Sequence, residues 1–127
     1  MTIEMTTPTL ILLYVENAQA SADFYGSLLG LSPLEDTPAF VMFQLSSGAQ
    51  LALRNRDGAQ PPLVALPGAT EIGFMASDRA AVDDRFEDWQ RRGLSILMQP
   101  TMMPFGYTFV AEDPDGHRLR VYALGAA

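Results

Sequence analysis

The second half of this chain repeats the pattern of the first. Displacing the sequence by 61 residues lays Leu10 on Glu71, Tyr14 on Met75, Asn17 on Asp78, Ser21 on Val82, Tyr25 on Phe86 and Leu28 on Trp89. Each copy opens with a short apolar run, a capping side chain, a stripe at helical spacing and a glycine, followed by strand-like runs. In the first copy these are Leu10 to Val15, Asn17, the stripe Ser21, Phe24, Tyr25, Leu28 and Leu29, and Gly30. Strands at Ala39 to Leu45 and Gln50 to Arg54 then flank the turn Ser46-Ser47-Gly48. In the second copy they are Glu71 to Ala76, Ser77 or Asp78, the stripe Val82, Phe86 and Trp89, and Gly93. A strand at Leu94 to Met98, a loop at Gln99 to Gly106 and a last hairpin complete it. A unit this small does not bury its own sheet face, which is the physical meaning of such repeats. The expected fold is α+β: one domain, residues 1–127, built of two βαβββ modules, 8–55 and 70–124. A linker, 56–69, carries Gly58, Pro61, Pro62 and Pro67. The mixed sheets are expected to curve into a cup with the helices outside.

Composition removes several function classes. With no cysteine, disulfides, thiolate nucleophiles and Cys-based zinc sites are excluded. A net charge of −7 disfavours nucleic acid as a partner. No apolar run approaches the roughly 20 residues of a membrane span, so no membrane partner is expected. The N-terminus, Met1 to Pro8, has neither a basic region nor a signal-type apolar stretch, and the expected location is cytoplasmic. No glycine-rich phosphate loop and no nucleophile–base arrangement is visible. Asp78, Asp83, Asp84, Glu87 and Asp88 fall on the solvent side of the second helix, opposite Val82, Phe86 and Trp89.

The last hairpin carries the functional argument. Asp113-Pro114-Asp115-Gly116 suits a type I turn. A four-residue connection places Glu112 opposite His117, Val110 opposite Leu119 and Thr108 opposite Val121. Strand alternation then puts Tyr107, Phe109 and Ala111 on the other face, opposite Tyr122, Arg120 and Arg118. Aromatic rings mixed with arginine suit a pocket wall better than a dry core, which does not accept an unpaired guanidinium. In this register His117 is an exposed turn residue. Alternation elsewhere turns Leu10, Leu12, Tyr14, Gly73 and Met75 inward. Gln50, Ala52 and Arg54 follow them, as do Phe40, Met42 and Gln44 if the hairpin between residues 45 and 50 has a three-residue turn.

The repeat resembles the vicinal oxygen chelate superfamily, the glyoxalase/bleomycin-resistance/dioxygenase fold. The likeness rests on Val15-Glu16-Asn17, Ser21, Phe24-Tyr25 and Leu28-Leu29-Gly30, then on Asp113-Pro114-Asp115-Gly116 with Arg118-Leu119. Within that family the closer likeness is to phenazine-antibiotic resistance proteins that bind the drug without destroying it. It rests on Glu71-Ile72-Gly73-Phe74-Met75, Phe86-Glu87-Asp88-Trp89, Phe105-Gly106-Tyr107-Thr108-Phe109, Asp113 to His117 and Arg120-Val121. Metal-dependent members place His or Glu at one inward position on each of four strands. Carried over, those positions are Leu10, Ala52, Glu71 and Arg120. Leu and Ala cannot ligate a metal and arginine has no lone pair to offer, so no metal and no other cofactor is expected.

These readings combine into one expectation. The chain binds rather than transforms a small planar aromatic ligand such as a phenazine, and its role is antibiotic sequestration. Arg120 and Glu71 form the polar end, paired with each other or turned to the ligand. Tyr107, Phe109, Met75, Phe40, Leu12, Tyr14, Met42 and Tyr122 form the walls, with the loop Thr101 to Phe105 overhanging them. The resemblance also implies a homodimer. Two alternatives stay open: an enzyme of the same fold, glyoxalase- or dioxygenase-like, acting on a small aromatic or carbonyl substrate, and a regulatory module that binds a partner and no small molecule.

Overall fold

A computed structural model describes residues 8–125. It divides into two compact units that meet in sequence between Pro67 and Gly68. The first unit runs β1 (Leu10–Val15), α1 (Ala18–Leu29), β2 (Glu35–Thr37), β3 (Phe40–Gln44) and β4 (Gln50–Asn55). The second runs β5 (Glu71–Met75), α2 (Arg79–Arg91), β6 (Ser95–Met103), β7 (Gly106–Glu112) and β8 (Arg118–Leu124). Each unit is a mixed four-stranded sheet with one helix, in the orders β1-β4-β3-β2 and β5-β8-β7-β6. The outer pairs β1/β4 and β5/β8 are parallel and the remaining pairs antiparallel. The fold is α+β, two βαβββ units in succession.

The helices begin where side chains cap them. Asn17 Oδ1 accepts the Ala20 amide at 3.0 Å, and Asp78 Oδ1 accepts the Ala81 amide at 2.8 Å. Asn55 Oδ1 also accepts the Ala18 amide at 2.7 Å, so the end of β4 holds the start of α1. Gly30 ends α1 in the left-handed conformation, φ 67°.

In the first unit Leu13, Val15, Val41, Phe43, Leu51 and Leu53 are buried. The Phe43 ring lies close under Gly26 of α1, so this is the helix-side face. The other face carries Leu10, Leu12 and Tyr14 beside Gln50, Ala52 and Arg54, and Phe40, Met42 and Gln44 beyond them. Gln44 pairs with Gln50, and the Leu45 amide donates to the Ala49 carbonyl at 2.9 Å, which leaves Ser46-Ser47-Gly48 as a three-residue turn. The faces are therefore those expected for that length. β2 is a short strand with no apolar alternation to announce it, fitted between Pro33 and Pro38 at the sheet edge.

The second unit departs from expectation in the last hairpin. The observed pairs are Glu112 with Arg118, Ala111 with Leu119, Val110 with Arg120, Phe109 with Val121 and Thr108 with Tyr122. The connection therefore holds five residues, Asp113 to His117, where a four-residue turn was expected. The cause is the Asp113 side chain. Its Oδ1 accepts the amides of Asp115 and His117, both at 2.9 Å, and the Asp113 amide donates to the His117 carbonyl at 2.9 Å. His117 is drawn into the turn and buried, not exposed at its tip. One extra residue exchanges the faces of one strand relative to the other.

Tyr107 and Phe109 consequently do not share a face with Arg120. Phe109 is fully buried against α2, edge-to-face with Phe86 and Trp89 at 5.3 Å each, and Phe74 meets Trp89 at 5.6 Å. This aromatic set is the core of the unit. Tyr107 also points to the helix side. Its hydroxyl donates to Asp83 Oδ1 of α2 at 2.8 Å, and the Arg79 guanidinium lies 4.6 Å from its ring centroid. The stretch 99–103, expected as a loop, continues β6. Its register slips once between Ile96 and Met98 and again between Met98 and Thr101. Those irregularities and the edge position let the strand carry Pro100, which has no amide to donate.

Phe109→Ala is expected to cost about 3–5 kcal/mol of stability, because it removes the centre of the aromatic core. Urea denaturation followed by the fluorescence of the lone Trp89 measures it. The hydrogen bond to Asp83, then burial and the Asp83 charge, hold the Tyr107 phenol above its ordinary value near 10, against the Arg79 charge. The folded state thus keeps the proton longer than the unfolded state. The stability that wild type holds over Tyr107→Phe should be constant below pH 10 and vanish as the pH rises through the raised value, as read by urea midpoints from pH 7 to 11.

Candidate functional site

The observed register gathers a different set of residues on the face of the second sheet turned away from α2. Parallel pairing sets Glu71, Gly73 and Met75 beside Arg118, Arg120 and Tyr122. Antiparallel pairing adds Glu112, Val110 and Thr108. Arg120 is at the centre. Its Nε donates to Glu71 Oε2 at 3.1 Å and its Nη1 donates to Thr108 Oγ1 at 3.3 Å. The Thr108 hydroxyl in turn donates to the Val121 carbonyl at 2.8 Å. That commits its proton and leaves its lone pairs to the guanidinium. Two acceptors therefore fix the plane of Arg120, while Nη2 has no hydrogen-bond partner among the described residues.

Aromatic rings complete the cluster. Phe105, in the β6–β7 turn, lies with its ring centroid 5.7 Å from the Arg120 guanidinium carbon and 6.4 Å, edge-to-face, from the Tyr122 ring. Two backbone features put Phe105 there. The Gly125 amide donates to the Phe105 carbonyl at 3.2 Å. Gly106, at φ 152°, brings β7 so close to β8 that a Cβ on it would run into the Ala123 carbonyl. Only glycine suits that position. Gly73 matters in the same way, because the Tyr122 ring lies against it where a larger residue would stand; a Cβ would be 3.2 Å from the ring.

Of the expected site residues, then, Arg120, Glu71, Tyr122 and Met75 share this face, with Met75 65% exposed and thus available for contact. Leu12, Tyr14, Phe40 and Met42 share the face of the first sheet turned away from α1, where Arg54 lies 5.9 Å from the Phe40 ring centroid. Tyr107 and Phe109 belong to the packing of α2. Thr108 and Phe105 are the residues that the sequence reading did not assign to the polar end. A threonine between Tyr107 and Phe109 was a signal for Thr108, since its hydroxyl needs a partner once buried. A separate groove of about 400 Å³ lies between the end of β5 and the start of α2, lined by Phe74, Met75, Ala76, Ser77, Ala81 and Arg85. It has no set of fixed polar groups comparable to that around Arg120.

The residues do not fit a catalytic metal. Two of the four positions carried over from metal-dependent members are Leu10 and Ala52, and the other two, Glu71 and Arg120, are bonded to each other. Among the described residues no three His, Asp or Glu side chains converge. A catalytic metal needs about three protein donors and an open position. No helix among the described residues is long and apolar enough to cross a membrane.

Comparison with known proteins agrees with the architecture. The chain is 36% identical over 121 residues to the phenazine antibiotic resistance protein EhpR of Enterobacter agglomerans, covering 93% of this chain and 92% of that one. The solution structure of protein ATC0852 from Agrobacterium tumefaciens is 44% identical, with a TM-score of 0.86 over 96% of this chain and all of that one. A glyoxalase/bleomycin resistance protein/dioxygenase from Nocardioides, 24% identical, shares the fold with a TM-score of 0.82 over 97% of this chain and 86% of that one. The sequence profile of the Glyoxalase/Bleomycin resistance protein/Dioxygenase superfamily matches residues 7–121, and the chain belongs to that superfamily.

Proposed function

We propose that this chain is a drug-binding protein that sequesters a planar aromatic antibiotic such as a phenazine without transforming it and without a metal. The observation that carries the reading is Arg120: a guanidinium fixed by Glu71 and Thr108, flanked by Phe105 and Tyr122, with Nη2 unengaged among the described residues. A flat ring system lies against Tyr122, Phe105 and Met75, and an acceptor atom on its rim takes the Nη2 hydrogens. The group on Leu12, Tyr14, Phe40 and Met42 is proposed as the apolar contact surface of the first unit. The likeness to a phenazine antibiotic resistance protein supports the ligand class. The lack of a fitting metal donor set among the described residues supports binding over glyoxalase- or dioxygenase-type chemistry. A ligand of about 20 heavy atoms at roughly 0.3–0.4 kcal/mol per atom reaches about micromolar affinity, enough to lower the free drug when the protein is abundant. The working form is proposed to be a cytoplasmic homodimer.

Calorimetric titration with phenazine, phenazine-1-carboxamide and phenazine-1-carboxylic acid tests the binding. At least one should bind saturably at about micromolar Kd, about tenfold more weakly in Arg120→Ala, and mass spectrometry should recover it unchanged. A chemically altered ligand would turn the reading into an enzyme. Light scattering should give a mass of twice 13.9 kDa; a monomer at micromolar concentration would remove the dimer from the proposal.

A further inference from the structure

We infer that Glu71 sets the charge of the ligand: the site beside Arg120 takes an uncharged acceptor, a carbonyl, carboxamide or ring nitrogen, and refuses a free carboxylate. The inference rests on the reading of the Arg120 cluster as a ligand site and specifies what that site accepts.

Charge balance at a fixed cation decides what the site accepts. Arg120 is the cation that an anionic ligand would seek, but Glu71 already neutralises it at 3.1 Å. The Arg120 side chain is 20% exposed, so solvent screens the pair less than it would at an open surface. The flanking charges on the same face also cancel, since Arg118 is paired in register with Glu112. A carboxylate at Nη2 would leave the cluster with a net negative charge and would face Glu71 across a single guanidinium. A like charge at such range is unfavourable, although water at the 42% exposed Glu71 screens part of the repulsion. A neutral carbonyl or ring nitrogen takes the same Nη2 hydrogens and leaves the cluster neutral. The chain's net charge of −7 works in the same direction by repelling anions on approach. Thr108 sharpens the selection: it accepts from Nη1, and its proton is spent on Val121, so it offers an incoming carboxylate no hydrogen. Glu71 is therefore a specificity-determining residue that acts through Arg120.

Phenazine-1-carboxamide and phenazine-1-carboxylic acid differ at neutral pH in the charge of one nearly isosteric group, and their affinities form the test. Wild type should bind the amide at least tenfold more tightly than the acid. Glu71→Gln, which keeps an oxygen for Arg120 Nε, should bind the acid at least tenfold more tightly than wild type does and lower the amide-to-acid affinity ratio at least tenfold. Tighter binding of the acid by wild type, or an amide-to-acid ratio unchanged in Glu71→Gln, would overturn the charge selection while leaving the binding function standing. No binding of any of the three phenazines would instead overturn the binding function, and the charge selection with it.

Discussion

The carboxylate of Asp113 decides which residues of the second unit become core and which become site. By accepting the amides of Asp115 and His117 it lengthens the β7–β8 connection to five residues and buries His117. Every pairing upstream follows from that length. Phe109 meets Val121 rather than Arg120, joins Phe86 and Trp89 beneath α2, and leaves the guanidinium to Thr108. Side chains alternate with a period of two, so one residue of slippage would put the phenyl ring of Phe109 on the face of Arg120 and the hydroxyl of Thr108 in the apolar core. Burial of Asp113, 4% exposed, protects its hydrogen bonds from competition with water and makes the alternative register costly.

Much of the architecture was legible because it rests on short-range signals. The helix caps Asn17 and Asp78, the terminating Gly30 and the stripe Val82, Phe86 and Trp89 are local and appear where the spacing puts them. The offset between the halves revealed the duplicated βαβββ unit. The faces of β1, β3 and β4 were readable from alternation together with the three-residue turn Ser46-Ser47-Gly48. The errors lie where a side chain competes with the backbone or a strand tolerates irregularity. Asp-Pro-Asp-Gly looks the same whether four or five residues connect the strands; only the Asp113 side-chain bonds distinguish them. Residues 99–103 hold a proline and no clean alternation because β6 slips register twice. In the candidate site, Met75 and Tyr122 were readable from strand alternation, and Glu71 and Arg120 from the inward positions carried over by the family resemblance, whereas Phe105 depends on the close approach at Gly106, a tertiary fact.

The Arg120 cluster is better understood as positioning than as stability. An ion pair with Glu71 42% and Arg120 20% exposed contributes little net free energy, since its attraction is offset by desolvation and by the ordering of two long side chains. Its effect is geometric. A lone arginine samples many rotamers, and a ligand must pay the entropy of selecting one. Held by a carboxylate and a hydroxyl, Arg120 presents one edge in one orientation. The aromatic neighbours Phe105 and Tyr122 are set by glycines at 106 and 73, so the backbone rather than flexible packing determines where a ring can lie.

The strand orders have a consequence for assembly. In each sheet one outer strand resists extension. β2 has three residues between prolines, and β6 contains Pro100 and two register slips. Such strands make poor templates, because the unbroken row of amide and carbonyl groups that an incoming chain would read is interrupted. The opposite margins, β1 and β5, are regular and carry no proline. Of the two outer strands in each sheet, only the parallel-paired one therefore presents an unbroken row of amide and carbonyl groups, the row that any further strand, in assembly or as a first step of aggregation, has to read.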